Sequence, residues 1–234
     1  MPSQPSTLFP TADKFGLLAV FILSLVVASA AEPHDSSRWE KAIRAFEQTD
    51  LTTPPPKESV LFVGSSSIVR WKSLKTDFPG VTVINRGFGG SQIADSIAFM
   101  PRIITKYHPS KVILYAGDND LAKGKSAEVV ANDFKRFATQ LWSELEHTEI
   151  GFIAIKPSPK RWHLNEEIMT ANRLIRTFCE NHRKLTYLDI YTPMLDVEGK
   201  PKANLFVEDQ LHLSALGYSI WTTVLQPFVS ATQR

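Results

Sequence analysis

Short, continuous apolar runs alternate in this sequence with longer segments of helical periodicity, and that alternation constrains the fold most. The apolar runs occupy residues 60–63, 81–84, 111–116, 150–155 and 185–190. Apolar side chains recur at helical spacing between and after them, over residues 93–107, 126–146, 165–181 and 214–229. Strands that are apolar on both faces are typical of a parallel sheet with helices on each side. We therefore predict an α/β domain of three layers, α/β/α, around a five-stranded parallel sheet.

The amino-terminal segment predicts an export signal. Residues 16–30 (GLLAVFILSLVVASA) form an uncharged apolar run that ends in small residues spaced as in an Ala-x-Ala cleavage site. The run is short for a membrane span, which needs ~20 apolar residues. We predict a secretory signal peptide over residues 1–31, with a retained membrane anchor as the alternative. Cleavage would leave a secreted or periplasmic protein without a stable membrane span.

Residues 32–58 predict an N-terminal helical arm followed by a proline-rich linker. Trp39, Ile43 and Phe46 recur at spacings of four and three, as on one face of a helix. The segment 51–57 (LTTPPPK) ends any helix, because three prolines remove donors and fix an extended path. The main domain is then predicted over residues 59–234.

Charge and cysteine content exclude several classes of partner and site. Lys and Arg number 26 against 24 Asp and Glu, so the net charge of +2 gives no reason to expect nucleic-acid binding. The lone Cys179 excludes an internal disulfide and any cysteine-rich metal site, and a secreted chain without disulfides fits bacterial export best. The histidines lack paired ligand spacing, so no metal site is expected.

Chemically useful residues follow the predicted strands, at the edge where parallel sheets carry their functional loops. Ser66 follows the first strand, as a helix cap or as a nucleophile. Gly90 follows the second, in a turn or a close backbone approach to a ligand. Asn119 follows the third, as a turn former or an amide donor to an oxyanion. Asp209 precedes His212 by three residues, either capping a loop or holding the imidazole in one tautomer.

Taken in order, these segments resemble the sequence blocks of the SGNH, or GDSL, hydrolase superfamily. The matching blocks are Gly-Ser-Ser at 64–66, a glycine at 90, Gly-Asp-Asn-Asp at 117–120 and Asp-Gln-Leu-His at 209–212. The resemblance covers essentially the whole domain from residue 60 to the final helix. It implies a flavodoxin-like order of the strands.

One block departs from the family pattern. Ser65 stands where the family usually has aspartate, which leaves open whether Ser65, Ser66 or Ser67 attacks the substrate. The register on the preceding glycine favours Ser66. The missing aspartate is not the carboxylate that orients the histidine, so its loss does not remove catalysis.

The resemblance implies an exported serine esterase that acts through an acyl-enzyme, with no metal or organic cofactor. It assigns Ser66 as the nucleophile, His212 as the general base and Asp209 as the group that orients His212. The oxyanion hole would consist of the backbone N–H groups of Ser66 and Gly90 and the side-chain amide of Asn119.

The expected partners are small-molecule or carbohydrate esters, with acetyl esters foremost and aryl or lysophospholipid-like esters as the neighbouring possibility. The alternatives are a lysophospholipase-like acylhydrolase and a non-catalytic carbohydrate-binding module on the same scaffold. The sequence carries no signal for an oligomeric state.

The loop after the fourth strand, residues 156–162 (KPSPKRW), should overhang the same edge of the sheet. Lys160, Arg161 and Trp162 are therefore candidate substrate-binding residues. The alternative is a proline-rich surface loop without a role in binding.

Overall fold

The computed structural model describes residues 1–2 and 34–231. The signal peptide predicted over residues 1–31 lies almost entirely outside the described residues and stays a prediction. Within the described part of the chain, no helix combines the length and the apolar character needed to cross a membrane.

Five strands form one parallel sheet in the order β2-β1-β3-β4-β5, which confirms the predicted fold class. The strands are β1 (Val60–Gly64), β2 (Val83–Gly87), β3 (Lys111–Tyr115), β4 (Glu149–Ile153) and β5 (Leu185–Leu188). Strand β1 lies between β2 and β3, with Gly64 opposite both Gly87 and Tyr115. The strand order reverses between β1 and β3, which is the position where open parallel sheets bind ligands.

Helices cover both faces of the sheet. The α-helices of the described chain are α1 (Glu40–Thr52), α2 (Ser66–Val69), α3 (Leu74–Asp77), α4 (Ile93–Ala98), α5 (Met100–Ile103), α6 (Asp118–Ala122), α7 (Ala127–Glu144), α8 (Asn165–Glu180) and α9 (Ala215–Ser230). Short 3-10 helices occupy Ser37–Trp39, Thr105–Tyr107, Pro159–Leu164, Thr192–Met194 and Ala203–Leu205.

The core consists of two apolar layers, one on each face. The first joins the sheet to α1, α4, α5, α7 and α8, and includes Leu61 and Phe134. The second joins it to α2, α3 and α9, and includes Phe62 and Trp221. Neighbouring residues of β1 thus enter opposite layers, as the period of two in a strand requires. Burial on both faces explains why these strands read as continuous apolar runs.

Strand β2 differs from its prediction, since it begins two residues later and runs through Asn85 and Arg86 to Gly87. It is an edge strand, paired only with β1, so polar residues are tolerated within it. The buried Arg86 is paired with Asp50 of α1 and donates to the hydroxyl of Tyr107 at 2.9 Å. Asp50 and Tyr107 are distant from Arg86 in the sequence. The local pattern around Asn85 and Arg86 therefore indicated a loop.

The helix predicted over residues 93–107 is instead α4, α5 and a 3-10 turn in succession. Pro101 lies in the first turn of α5, where its missing N–H costs little. If α4 continued through this position, the proline ring would clash with a carbonyl group of the preceding turn, so α4 ends before it. By contrast, α1 ends at Thr52, before the three prolines, as predicted. The segment before α1 is anchored to α4, because Asp95 Oδ1 accepts from Ser36 Oγ at 2.7 Å and lies 2.8 Å from His34 Nε2.

Gly64 ends β1 in a conformation that only glycine adopts easily. Its φ is +134°, and a Cβ at this position would collide with the carbonyl oxygen of Tyr115 on β3. That carbonyl accepts the N–H of Ser65 at 3.0 Å, so the chain leaves β1 pressed against the end of β3. The absence of a side chain at Gly64 therefore sets where α2 begins.

We predict that Gly64→Ala lowers the free energy of unfolding by about 3–5 kcal/mol, because backbone strain adds to a collision with backbone atoms. Gly124→Ala is the matched control, since Gly124 also has a positive φ (+85°) but a Cβ at this position would meet no atom within 4 Å. Strain alone should cost the control about 1–2 kcal/mol. Urea unfolding of both variants measures the difference, and equal losses would contradict the close contact.

Candidate active site

Three adjacent serines follow β1, and they differ in exposure and in contacts. Ser65 and Ser67 are each 1% exposed. Ser66, the first residue of α2, is half-buried, and its Oγ lies 2.9 Å from Nε2 of His212. The N–H of Ser66 is in the first turn of the helix, where backbone donors have no intrahelical acceptor. Of the three serines, Ser66 is the one whose hydroxyl contacts His212, the predicted base.

The loop before α9 brings the carboxylate of Asp209 into contact with the imidazole of His212. Gln210 adopts a φ of +56° at the turn, and its N–H donates to the carbonyl oxygen of Val207 at 2.9 Å. Asp209 Oδ2 then lies 2.6 Å from His212 Nδ1. Its Oδ1 accepts the N–H groups of Leu211 at 2.9 Å and His212 at 2.8 Å.

These contacts control the charge of Asp209. Partial burial acts to raise the pKa of its carboxyl, but the hydrogen bonds from His212 and Leu211 outweigh that effect and hold the pKa well below its usual range. An ionised Asp209 keeps the proton of a neutral imidazole on Nδ1. Nε2 of His212 is then free to accept the hydroxyl proton of Ser66.

The loop after β2 passes close to Ser66. A Cβ built on Gly89 would lie 3.8 Å from Cβ of Ser66. The loop is held to β1 because the N–H of Phe88 donates to the carbonyl oxygen of Gly64 at 2.8 Å. The next residue, Gly90, has a φ of +78°. Gly90, the residue predicted to donate to the oxyanion, therefore directly follows Gly89, which lies next to Ser66.

The segment before α1 forms a wall beside Gly90. A Cβ on Gly90 would lie 3.3 Å from the indole ring of Trp39. The guanidinium of Arg38 stacks over that ring at 4.2 Å and donates to the carbonyl oxygen of Gly90 at 3.3 Å. The sequence indicated Trp39 only as part of a helical face, since nothing in its local pattern points to Gly90.

Asn119 lies in the first turn of α6 and links two loops. Its Nδ2 donates to the carbonyl oxygen of Ser91 at 3.0 Å, next to Gly90. Its Oδ1 accepts from Nη2 of Arg161 at 2.9 Å. The Ser91 contact uses one of the two amide hydrogens. The structure thus brings Asn119 to the loop that carries Gly90.

The three candidate residues of the loop after β4 are placed differently from one another. Lys160 is exposed, and its backbone N–H donates to the carbonyl oxygen of Gln210 at 3.1 Å. Arg161 is directed inward to Asn119. Trp162 is half-buried, with the Nζ of Lys200 4.9 Å from its ring centre. Their role in substrate binding stays a prediction.

Two buried charged residues next to Arg161, Asp118 and Lys156, were not expected from the sequence. Asp118 Oδ2 lies 2.9 Å from Lys156 Nζ and 3.0 Å from Arg161 Nη1. Asp118 occupies the variable position of the Gly-x-Asn-Asp block, so the family pattern gives no signal for it. Among the residues that the structure describes, no group of three His, Cys, Asp or Glu side chains is arranged to hold a metal ion.

Comparisons with known proteins agree on the kind of domain. A family model described as the GDSL-like lipase/acylhydrolase family matches residues 63–220. No curated protein is similar enough in sequence to match the chain.

Solved structures with the same fold have low sequence identity to this chain. A Streptococcus pneumonia protein, described provisionally as a platelet activating factor, is 20% identical with a TM-score of 0.73, covering 82% of this chain and 94% of its own. A GDSL-like lipase from Bacteroides thetaiotaomicron is 18% identical with a TM-score of 0.70, covering 80% and 96%. A catalytic mutant of an acetylxylan esterase from Geobacillus stearothermophilus is 13% identical with a TM-score of 0.59, covering 76% and 96%.

The lowered pKa of Asp209 predicts an acid-dependent loss of stability. Since the folded state lowers this pKa, the carboxylate stabilises the fold above the unfolded value of about 4, and the contribution is lost as the pH falls towards the folded value. Asp209→Asn removes this titration. We expect the stability difference between wild type and variant to be greatest near neutral pH and to shrink below about pH 4. Urea unfolding across this range measures it, and a constant difference would contradict the assignment.

Proposed function

The chain belongs to the GDSL-like lipase/acylhydrolase family, and from this premise we propose that it is a serine esterase that cleaves small acyl esters. The observation that carries the proposal is the hydrogen-bonded series from Ser66 Oγ through His212 to Asp209. Both spacings lie within the hydrogen-bond range expected of a nucleophile with its base and of a base with its orienting group. An accessible serine with these two partners is the arrangement that acyl transfer needs.

In the first half of the proposed reaction, Nε2 of His212 takes the hydroxyl proton while Ser66 Oγ bonds to the ester carbonyl carbon. The carbonyl π electrons move to oxygen, which gives a tetrahedral oxyanion. The intermediate then collapses, the bond to the alcohol oxygen breaks, and the alcohol leaves with the proton from His212. The acyl group remains on Ser66. The carboxylate of Asp209 stabilises the imidazolium while it exists.

In the second half, water loses a proton to His212 and attacks the acyl carbon. The second tetrahedral oxyanion collapses with release of the acid, and His212 returns the proton to Ser66. The same donors serve both oxyanions: the N–H groups of Ser66 and Gly90 and one Nδ2 hydrogen of Asn119. One such donor is typically worth about 3 kcal/mol in the transition state.

The substrate class we propose is small acyl esters, with acetylated carbohydrate foremost. Trp39 supports a short acyl group, since its indole lies against Gly90 and fills the space beside the proposed oxyanion hole. The acetylxylan esterase with the same fold is consistent with this choice, although 13% identity supports the fold alone. Export through residues 1–31 belongs to the same proposal, because polymeric carbohydrate esters lie outside the cell.

An organophosphonate serine probe tests the nucleophile. We expect the probe to label Ser66 in the wild type, as peptide mapping would show, and His212→Ala to abolish labelling because the base is gone. Ser65→Ala is the matched control, since Ser65 is buried next to the nucleophile and labelling should persist. A folded wild-type protein that takes up no label would instead support a binding module without catalysis.

A series of esters of increasing acyl length tests the substrate class, with Ser66→Ala as the blank. We expect Ser66→Ala to lower kcat by about 10⁴-fold or more. For the wild type, kcat/KM should fall about tenfold or more from acetyl to octanoyl esters, because the longer chain overfills the space beside Trp39. A preference for the longer acyl group would support the lysophospholipase-like alternative.

A further inference from the structure

The amide of Asn119 has two fixed partners, and together they allow only one orientation of it. Oδ1 accepts from Arg161 Nη2 at 2.9 Å, while Nδ2 donates to the carbonyl oxygen of Ser91 at 3.0 Å. Rotation of the amide by half a turn would set its NH₂ group against the guanidinium donors and its oxygen against a carbonyl oxygen. The two partners thus determine where the second Nδ2 hydrogen points.

Arg161 is itself held by a buried charged cluster. Its Nη1 lies 3.0 Å from Asp118 Oδ2, and Lys156 Nζ lies 2.9 Å from the same oxygen. Lys156 also donates to the hydroxyl of Tyr115 at 2.8 Å. Burial alone would raise the pKa of Asp118, but the charges of Lys156 and Arg161 outweigh it and lower that pKa. A buried carboxylate persists only with such partners, so the charge of Asp118 holds the guanidinium of Arg161 in place.

The backbone that carries Arg161 is fixed at both ends. At the end of β4, the amide of Asn172 accepts the N–H of Ile155 at 2.8 Å and donates to its carbonyl oxygen at 2.9 Å. Near Arg161, the N–H of Lys160 donates to the carbonyl oxygen of Gln210 at 3.1 Å. The backbone on either side of the loop is therefore fixed, and this limits where the guanidinium of Arg161 can lie relative to Asn119.

We propose that Arg161 is a positioning residue for the oxyanion hole, which fixes the amide of Asn119 and polarises it through Oδ1. This inference rests on the proposed function. A cation on the amide oxygen draws electron density from the nitrogen, so the remaining N–H becomes a stronger donor.

Direct substrate binding by Arg161 is the competing role. The side chain of Arg161 is only 17% exposed, and both of its terminal nitrogens lie against protein atoms. A substrate group that bound these nitrogens would compete with Asn119 and Asp118 for them. The geometry therefore favours an action through Asn119 over an action on the substrate.

A double-mutant cycle between Arg161 and Asn119 tests the proposal with a small acetyl ester. We expect Asn119→Ala to lower kcat by about 10²–10³-fold and Arg161→Ala by about 10–100-fold, with KM within about twofold. In the Asn119→Ala background, Arg161→Ala should cause no further loss, because its only target is gone. A crystal structure of Arg161→Ala should show the amide turned or displaced.

Arg176→Ala is the matched control, since Arg176 is 54% exposed on α8 and pairs with Glu180 at 3.5 Å. It should leave kcat and KM unchanged. Arg161→Lys guards against a folding defect, because it keeps a cation beside Asp118 but loses the planar second donor to Asn119. We expect this variant to melt as the wild type does and still to lose kcat.

Three results would overturn the inference alone: an equal loss from Arg161→Ala in both backgrounds, a raised KM with unchanged kcat, or wild-type kcat in a folded Arg161→Lys. The first two would assign Arg161 to substrate binding. Failure of the proposed function is a different result, in which the wild type hydrolyses no ester or Ser66→Ala remains fully active. That result would overturn both.

Discussion

The close contact between the carboxyl ends of β1 and β3 determines the geometry of the whole site. Because Gly64 has no side chain, the N–H of Ser65 reaches the carbonyl oxygen of Tyr115, and the carbonyl oxygen of Gly64 accepts from Phe88 in the loop after β2. The carboxyl ends of β1, β2 and β3 are thereby joined by hydrogen bonds next to Ser66. A parallel sheet collects functional loops at one edge, but these backbone bonds set their spacing.

Polar contacts then extend this arrangement across the sheet. Asn119 joins the loop after β3 to the loop after β2 through Ser91, and Arg161 joins it to the loop after β4. The backbone of Lys160 continues the series to Gln210, within the turn that carries His212. Ser66, Gly90, Asn119 and His212 therefore lie on four separate loops that are mutually braced, and these loops carry the proposed nucleophile, oxyanion donors and base. Such bracing holds reacting groups in place without a cost at the moment of reaction.

The sequence predicted the parts of this structure whose signals are local. Continuous apolar runs revealed the strands, and the proline cluster marked the end of α1 at Thr52, because both effects act over a few residues. The family blocks indicated Ser66, Asn119 and His212, and the structure places Ser66 after β1, Asn119 after β3 and His212 beside Ser66. Arg86 shows where local signals fail, since it lies inside β2 only because Asp50 and Tyr107 satisfy it from elsewhere in the chain. The inward direction of Arg161 could not be predicted for the same reason, because it depends on Asp118, a position that the family pattern leaves open.

The wall formed by Arg38 and Trp39 has a consequence for how the amino terminus can be handled. The segment is pinned by Ser36 and His34 to Asp95, and it meets Gly90 only a few residues after the predicted cleavage site. In engineering terms, this segment lies against the proposed oxyanion hole and is not a free handle. A fusion partner or surface linker attached here needs a spacer ahead of His34. Trimming past Trp39 would leave Ser66 in place but would widen the space beside Gly90 and so change which esters the proposed site accepts.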